Sequence, residues 1–80
     1  MVDLAIIADD LTGALDSAAP FAMRGLATSV ALSVRALTKA LSGSARIVSV
    51  STDSRDMAPD AATAAVRAVL ASLPPGTPVF

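Results

Sequence analysis

Apolar runs and polar breaks alternate along the chain. Leu4-Ala5-Ile6-Ile7-Ala8 is continuously apolar and is closed by Asp9-Asp10. Its length fits a strand buried on both faces of a parallel sheet. From Thr12 the pattern turns helical, with Leu11, Leu15, Ala18, Ala22 and Leu26 recurring near a spacing of four and Gly25 placed to stop the helix. Pro20 conflicts with this helix, because it lacks the N–H that would bond the carbonyl of Asp16, and a kink or interruption is expected there. Ala27 to Ser33 reads as a second strand, and Val34 to Leu41 as a short, weak helix ended by Ser42-Gly43. Arg46 to Thr52 reads as a third strand carrying Ile47, Val48 and Val50. Pro59 suits a first helical position, and Ala62, Val66, Val69, Leu70 and Leu73 form the stripe of the helix it opens. Pro74-Pro75-Gly76 ends that helix, and Thr77 to Phe80 resembles the beginning of a fourth strand.

The expected order is β-α-β-α-β-α-β, which implies an α/β fold: a parallel, three-layer, Rossmann-like sheet with right-handed crossovers, here truncated. The C-terminal ends of parallel strands share one edge. Asp9-Asp10 and Asp53-Ser54-Arg55 therefore face the same side of the domain. With a strand order of 2-1-3-4, the first and third strands would be neighbours about 4.8 Å apart, and the crevice between them would be a topological switch point, where open α/β sheets bind ligands.

Composition narrows the chemistry. Cys and His are absent, so disulfides, thiolate metal sites and imidazole catalysis are excluded. Net charge is −1, all acids are Asp, and no basic run appears, which argues against nucleic acid. Tyr and Trp are absent as well, so no base-stacking platform exists. No apolar stretch is long enough to span a membrane, and the acid at Asp3 does not fit a signal peptide, so a cytoplasmic location is expected. Eighty residues make at most one small domain.

Paired carboxylates repel phosphate but accept hydrogen bonds from sugar hydroxyls, and they can hold Mg²⁺. Arg55 offers a planar fork of donors suited to a carboxylate. A polyhydroxy acid satisfies both halves, with its hydroxyls at Asp9 and Asp10 and its carboxylate at Arg55. One Asp can also accept the proton of a hydroxyl that attacks a phosphoryl group. Each residue also has a structural reading. Asp10 or Thr12 can cap the first helix, Ser54 can be a turn residue, and Arg55 can pair with Asp53 or Asp56 at the surface. Asp16, Asp60 and Arg67 read as solvated helix positions.

The run Ile7-Ala8-Asp9-Asp10-Leu11-Thr12-Gly13-Ala14-Leu15-Asp16 closely resembles the N-terminal motif of the four-carbon acid sugar kinases, and Ser51-Thr52-Asp53-Ser54-Arg55 resembles their second motif. The resemblance extends over Met1 to Phe80. It implies an ATP- and Mg²⁺-dependent kinase acting on threonate, erythronate or their oxo forms, built of two α/β domains. The N-terminal domain would hold the sugar acid and the C-terminal domain the nucleotide. Carried over by position, the substrate-binding residues are Asp9, Asp10, Thr12, Gly13, Asp53, Ser54 and Arg55, with Asp10 the candidate catalytic group and no metal ligand assigned. The family continues with Lys-Lys-Ile-Asp-Ser after a strand like Thr77 to Phe80. Residues 1–80 are therefore expected to be the first part of the substrate domain, without nucleotide-binding or kinase activity of their own. Their expected contacts are the sugar acid and either the remainder of the parent chain or a second copy across the open sheet edge.

Two other readings stay open. A response-regulator receiver domain also carries an acid pair after its first strand and an Asp after its third, which would make Asp53 the phosphorylated residue. Its usual residues do not match Leu11-Thr12-Gly13-Ala14. The other is a non-catalytic, truncated binding fragment.

Overall fold

The computed structural model describes residues 2–80. The elements are β1 (Leu4–Ala8), α1 (Leu11–Met23), β2 (Thr28–Ala31), α2 (Leu37–Leu41), β3 (Ile47–Ser51) and α3 (Pro59–Ser72), with a 3₁₀ turn at Val34–Ala36 leading into α2. The strands form one parallel sheet in which β3 lies between β1 and β2. The fold class is the α/β arrangement expected from the sequence, but the strand order differs from 2-1-3-4. Strands β1 and β3 are still neighbours, whereas β2 pairs with the far side of β3 and becomes an edge. Residues 78–80 run beside the other side of β1. The Ala5 N–H donates to the Pro78 carbonyl (2.9 Å) and the Phe80 N–H to the Ala5 carbonyl (2.9 Å). This contact amounts to a single parallel bridge, Ala5 to Val79, rather than a full fourth strand.

Alternation along β3 assigns the layers. Side chains of a strand point to opposite faces in turn. Val48 and Val50 form the main core with Ala31, with Leu37 of α2 and with Val69 of α3. Ser49 points the other way and donates its hydroxyl to the Ala14 carbonyl of α1 (2.9 Å). The sheet therefore carries α2 and α3 on one face and α1 on the other. All five β3 residues are buried, as a central strand covered on both faces requires.

Helix α1 differs from expectation in two respects. It runs unbroken through Pro20. Both Pro20 and Asp16, whose carbonyl loses a partner, are exposed, so water can satisfy that carbonyl. Its buried face is also rotated from the leucine stripe. Ala14 and Ala18 are buried, while Leu11 and Leu15 are 41% and 48% exposed. Small side chains let the helix approach β3 closely enough for the Ser49–Ala14 bond, and a leucine at either position would hold it off. The end of α1 is as expected. Gly25 adopts φ 82°, and the N–H groups of Gly25 and Leu26 bond the carbonyls of Ala22 (3.0 Å) and Phe21 (3.2 Å), closing a Schellman motif. Pro59 opens α3 at its first turn, followed by Asp60 at the positive end of the helix dipole. Among the described residues, no helix is long and apolar enough to cross a membrane.

Candidate functional site

The C-terminal ends of β1 and β3 are bound together by backbone and side chains. The Thr52 N–H donates to the Ala8 carbonyl (2.9 Å), and the Ser54 and Arg55 N–H groups both donate to the Asp9 carbonyl (2.8 and 3.2 Å). The Thr52 hydroxyl also donates to Ala8 (3.1 Å) and lies 2.6 Å from the Ser54 hydroxyl. A hydroxyl has one proton, so with Thr52 donating to Ala8 the Ser54 hydroxyl donates to Thr52. Both Thr52 and Ser54 are buried. Ser54 is therefore a fastening residue at the base of the loop, and its hydroxyl lies under the surface. Thr52 does the same work. Its type is a common strand-end residue and gave no sign of this role in the sequence.

Both carboxylate oxygens of Asp10 are engaged. It is the N-cap of α1, with Oδ1 accepting from the Gly13 N–H (2.7 Å). Its Oδ2 accepts from Arg55 Nη1 (2.8 Å). The expected surface pairing of Arg55 with Asp53 or Asp56 is not what forms. The Ser54 and Arg55 backbone is tied to the Asp9 carbonyl, which starts the Arg55 side chain beside Asp10. Gly13 is needed for this arrangement, because a Cβ there would stand 2.9 Å from Asp10 Oδ1. Arg55 is 69% exposed and Asp10 only 27%, so the guanidinium lies over a mostly covered carboxylate.

Asp9 and Asp53 are exposed, and among the described residues neither side chain has a hydrogen-bond partner or ion pair in the protein. Asp53 occupies the left-handed region (φ 53°), which few non-glycine residues adopt and which Asp tolerates better than most. Its N–H donates to the Ser51 hydroxyl (3.3 Å). Thr12 is exposed in the first turn of α1, and its hydroxyl bonds nothing among the described residues; the cap is Asp10. Asp9, Asp10, Gly13, Ser54 and Arg55 are thus directly linked, while Thr12 and Asp53 flank them. Among the described residues, no three acidic side chains converge as a metal site needs.

A separate concavity lies elsewhere. It is an open trough of about 760 Å³ along the outer edge of β2, continuing past α2 to residues 43–45. Lys39 is the one charged residue lining it. It runs beside an edge strand that has no outer neighbour among the described residues, and its lining residues also include Thr28, Ser29, Ser33 and Ser44. At the β1–β3 edge, by contrast, the charged groups are placed by both loops.

No curated protein and no solved structure matches the chain significantly. A family model described as a sugar-binding N-terminal domain matches residues 4–79, in agreement with the resemblance to the N-terminal domain of a sugar kinase family. The match takes in both strand-end motifs and nearly the whole sequence, so the chain belongs to the sugar-binding N-terminal domain family.

Proposed function

We propose that this chain binds four-carbon sugar acids, of the threonate, erythronate or oxo-tetronate type, as the substrate-holding part of an ATP-dependent kinase. The observation that carries this reading is the Arg55 guanidinium held on Asp10 at the joined ends of β1 and β3, in a loop whose backbone is tied to the Asp9 carbonyl. Arg55 has five N–H donors and uses one on Asp10, which leaves donors for a ligand carboxylate. Acidic oxygens beside it accept from hydroxyls, and one of them can receive the proton of the hydroxyl that reacts. Membership of a sugar-binding family supports the polyol half of the ligand. The carboxylate half rests on Arg55.

Nucleotide and Mg²⁺ do not fit the residues described. Neither loop carries a glycine-rich phosphate cradle, Arg55 is the only base in the two loops, and no acidic triad converges. On this reading ATP and Mg²⁺ are held by other residues of the enzyme, in the cytoplasm, and this domain orients the sugar acid.

Calorimetric titration with threonate and erythronate, with threitol as the polyol lacking a carboxylate, tests the proposal. Saturable binding of an acid, tighter than the polyol, is expected. Binding of threitol alone would remove the role of Arg55, and binding of none would overturn the reading.

A further inference from the structure

Asp9 and Asp10 are adjacent in sequence yet stand in different environments. Asp10 is mostly covered, with one oxygen on the Gly13 N–H and the other on Arg55. For Asp9 the order is reversed. Its backbone is fixed, because its carbonyl accepts from both the Ser54 and Arg55 N–H groups. Its carboxylate is exposed and without a protein partner among the described residues. A hydroxyl approaching Asp10 has to compete with a charge-assisted bond and a helix cap, whereas one approaching Asp9 displaces only water.

We infer that the acid pair divides its work: Asp10 is a positioning residue that holds the Arg55 guanidinium, and Asp9 is the carboxylate that meets the ligand hydroxyl. The second half rests on the sugar-acid reading above; the first half does not. A pair this exposed adds little stability, so its effect lies in orientation, narrowing the directions in which the flexible Arg55 side chain points its remaining donors. The cap anchors Asp10 to α1 and the Asp9 carbonyl anchors the Arg55 backbone, so the ion pair joins two fixed points.

The test uses Asp9→Asn, Asp10→Asn and Arg55→Gln, singly and as the two doubles with Arg55→Gln. Asn still caps a helix, so Asp10→Asn keeps α1 while removing the charge that holds Arg55. The ligand-free readout is the Arg55 guanidinium signal in ¹H–¹⁵N spectra. Asp10→Asn is expected to shift it and speed guanidinium rotation, and Asp9→Asn to leave it in place. The ligand readout is threonate affinity. Asp10→Asn is expected to change it several-fold alone but by less than about twofold in the Arg55→Gln background, because its effect passes through Arg55. Asp9→Asn is expected to weaken threonate about tenfold in both backgrounds. An unchanged Arg55 signal in Asp10→Asn, or an Asp10→Asn effect of equal size in both backgrounds, overturns the positioning role. An Asp9→Asn protein that binds threonate normally overturns the assignment of Asp9. If the unaltered protein binds no four-carbon acid, the sugar-acid reading and the Asp9 assignment fall together, and the Arg55 signal still decides the role of Asp10.

Discussion

Asp10 and Gly13 form one unit at the start of α1, and substitutions at the two positions are expected to differ in kind. Asp10→Ala removes the cap and should lower unfolding free energy by about 1 kcal/mol, whereas Asp10→Asn should stay within about 0.5 kcal/mol of the original. Urea denaturation distinguishes them, and equal losses would show that the charge rather than the cap matters to stability. Gly13→Ala gains helix propensity of about 1 kcal/mol but brings a Cβ to 2.9 Å from the capping oxygen. Its net stability change should therefore be small, while the hold of Asp10 on Arg55 is lost. Arg55→Lys keeps the charge and loses the planar fork, so sugar-acid affinity should weaken by about ten- to a hundredfold. Titration with threonate measures it, and unchanged affinity would return Arg55 to a surface role.

At the scale of elements, α1 shows where a sequence is readable and where it is not. Its existence, its start after Asp10 and its stop at Gly25 follow from residues whose local chemistry is decisive. Its buried face does not, because the reading weights large apolar residues. The buried positions are Ala14, whose carbonyl accepts from the Ser49 hydroxyl, and Ala18, the one member of the expected stripe that is buried. Ala18→Leu is accordingly expected to destabilise by about 1–3 kcal/mol through overpacking, and Leu15→Ala by about 1 kcal/mol or less because that side chain is half exposed already. Thermal melts of the two variants check this, and the reverse ranking would contradict the packing described. The same distinction applies to the sheet. Alternation of strands and helices announces parallel pairing, but no local pattern fixes which strand lies in the middle or on which side β2 pairs. The meeting of the Asp9-Asp10 and Asp53-Ser54-Arg55 ends was legible because neighbouring β1 and β3 suffice for it. The Arg55–Asp10 pair was not, since it depends on how the Asp9 carbonyl ties down the loop after β3.

For the molecule as a whole, the outer edge of β2 has no strand beside it among the described residues, and Leu32, Met23 and Phe80 are exposed. Unpaired edges and apolar surface favour pairing with another chain. Sedimentation at rising concentration is expected to show association, and a monomer at every concentration would contradict this. That edge also carries the open trough of about 760 Å³, so the molecule presents two separate places for a ligand, this trough and the charged end of β1 and β3. The sugar acid is proposed to bind at the charged end of β1 and β3. The most direct test is a ¹H–¹⁵N titration of the protein with threonate and erythronate. Saturable shifts concentrated at Asp9, Asp10 and residues 53–55, and weaker with threitol, are the expected result. Shifts confined to residues 27–33 and 43–45 along the β2 edge, or no saturable shift at all, would contradict the account.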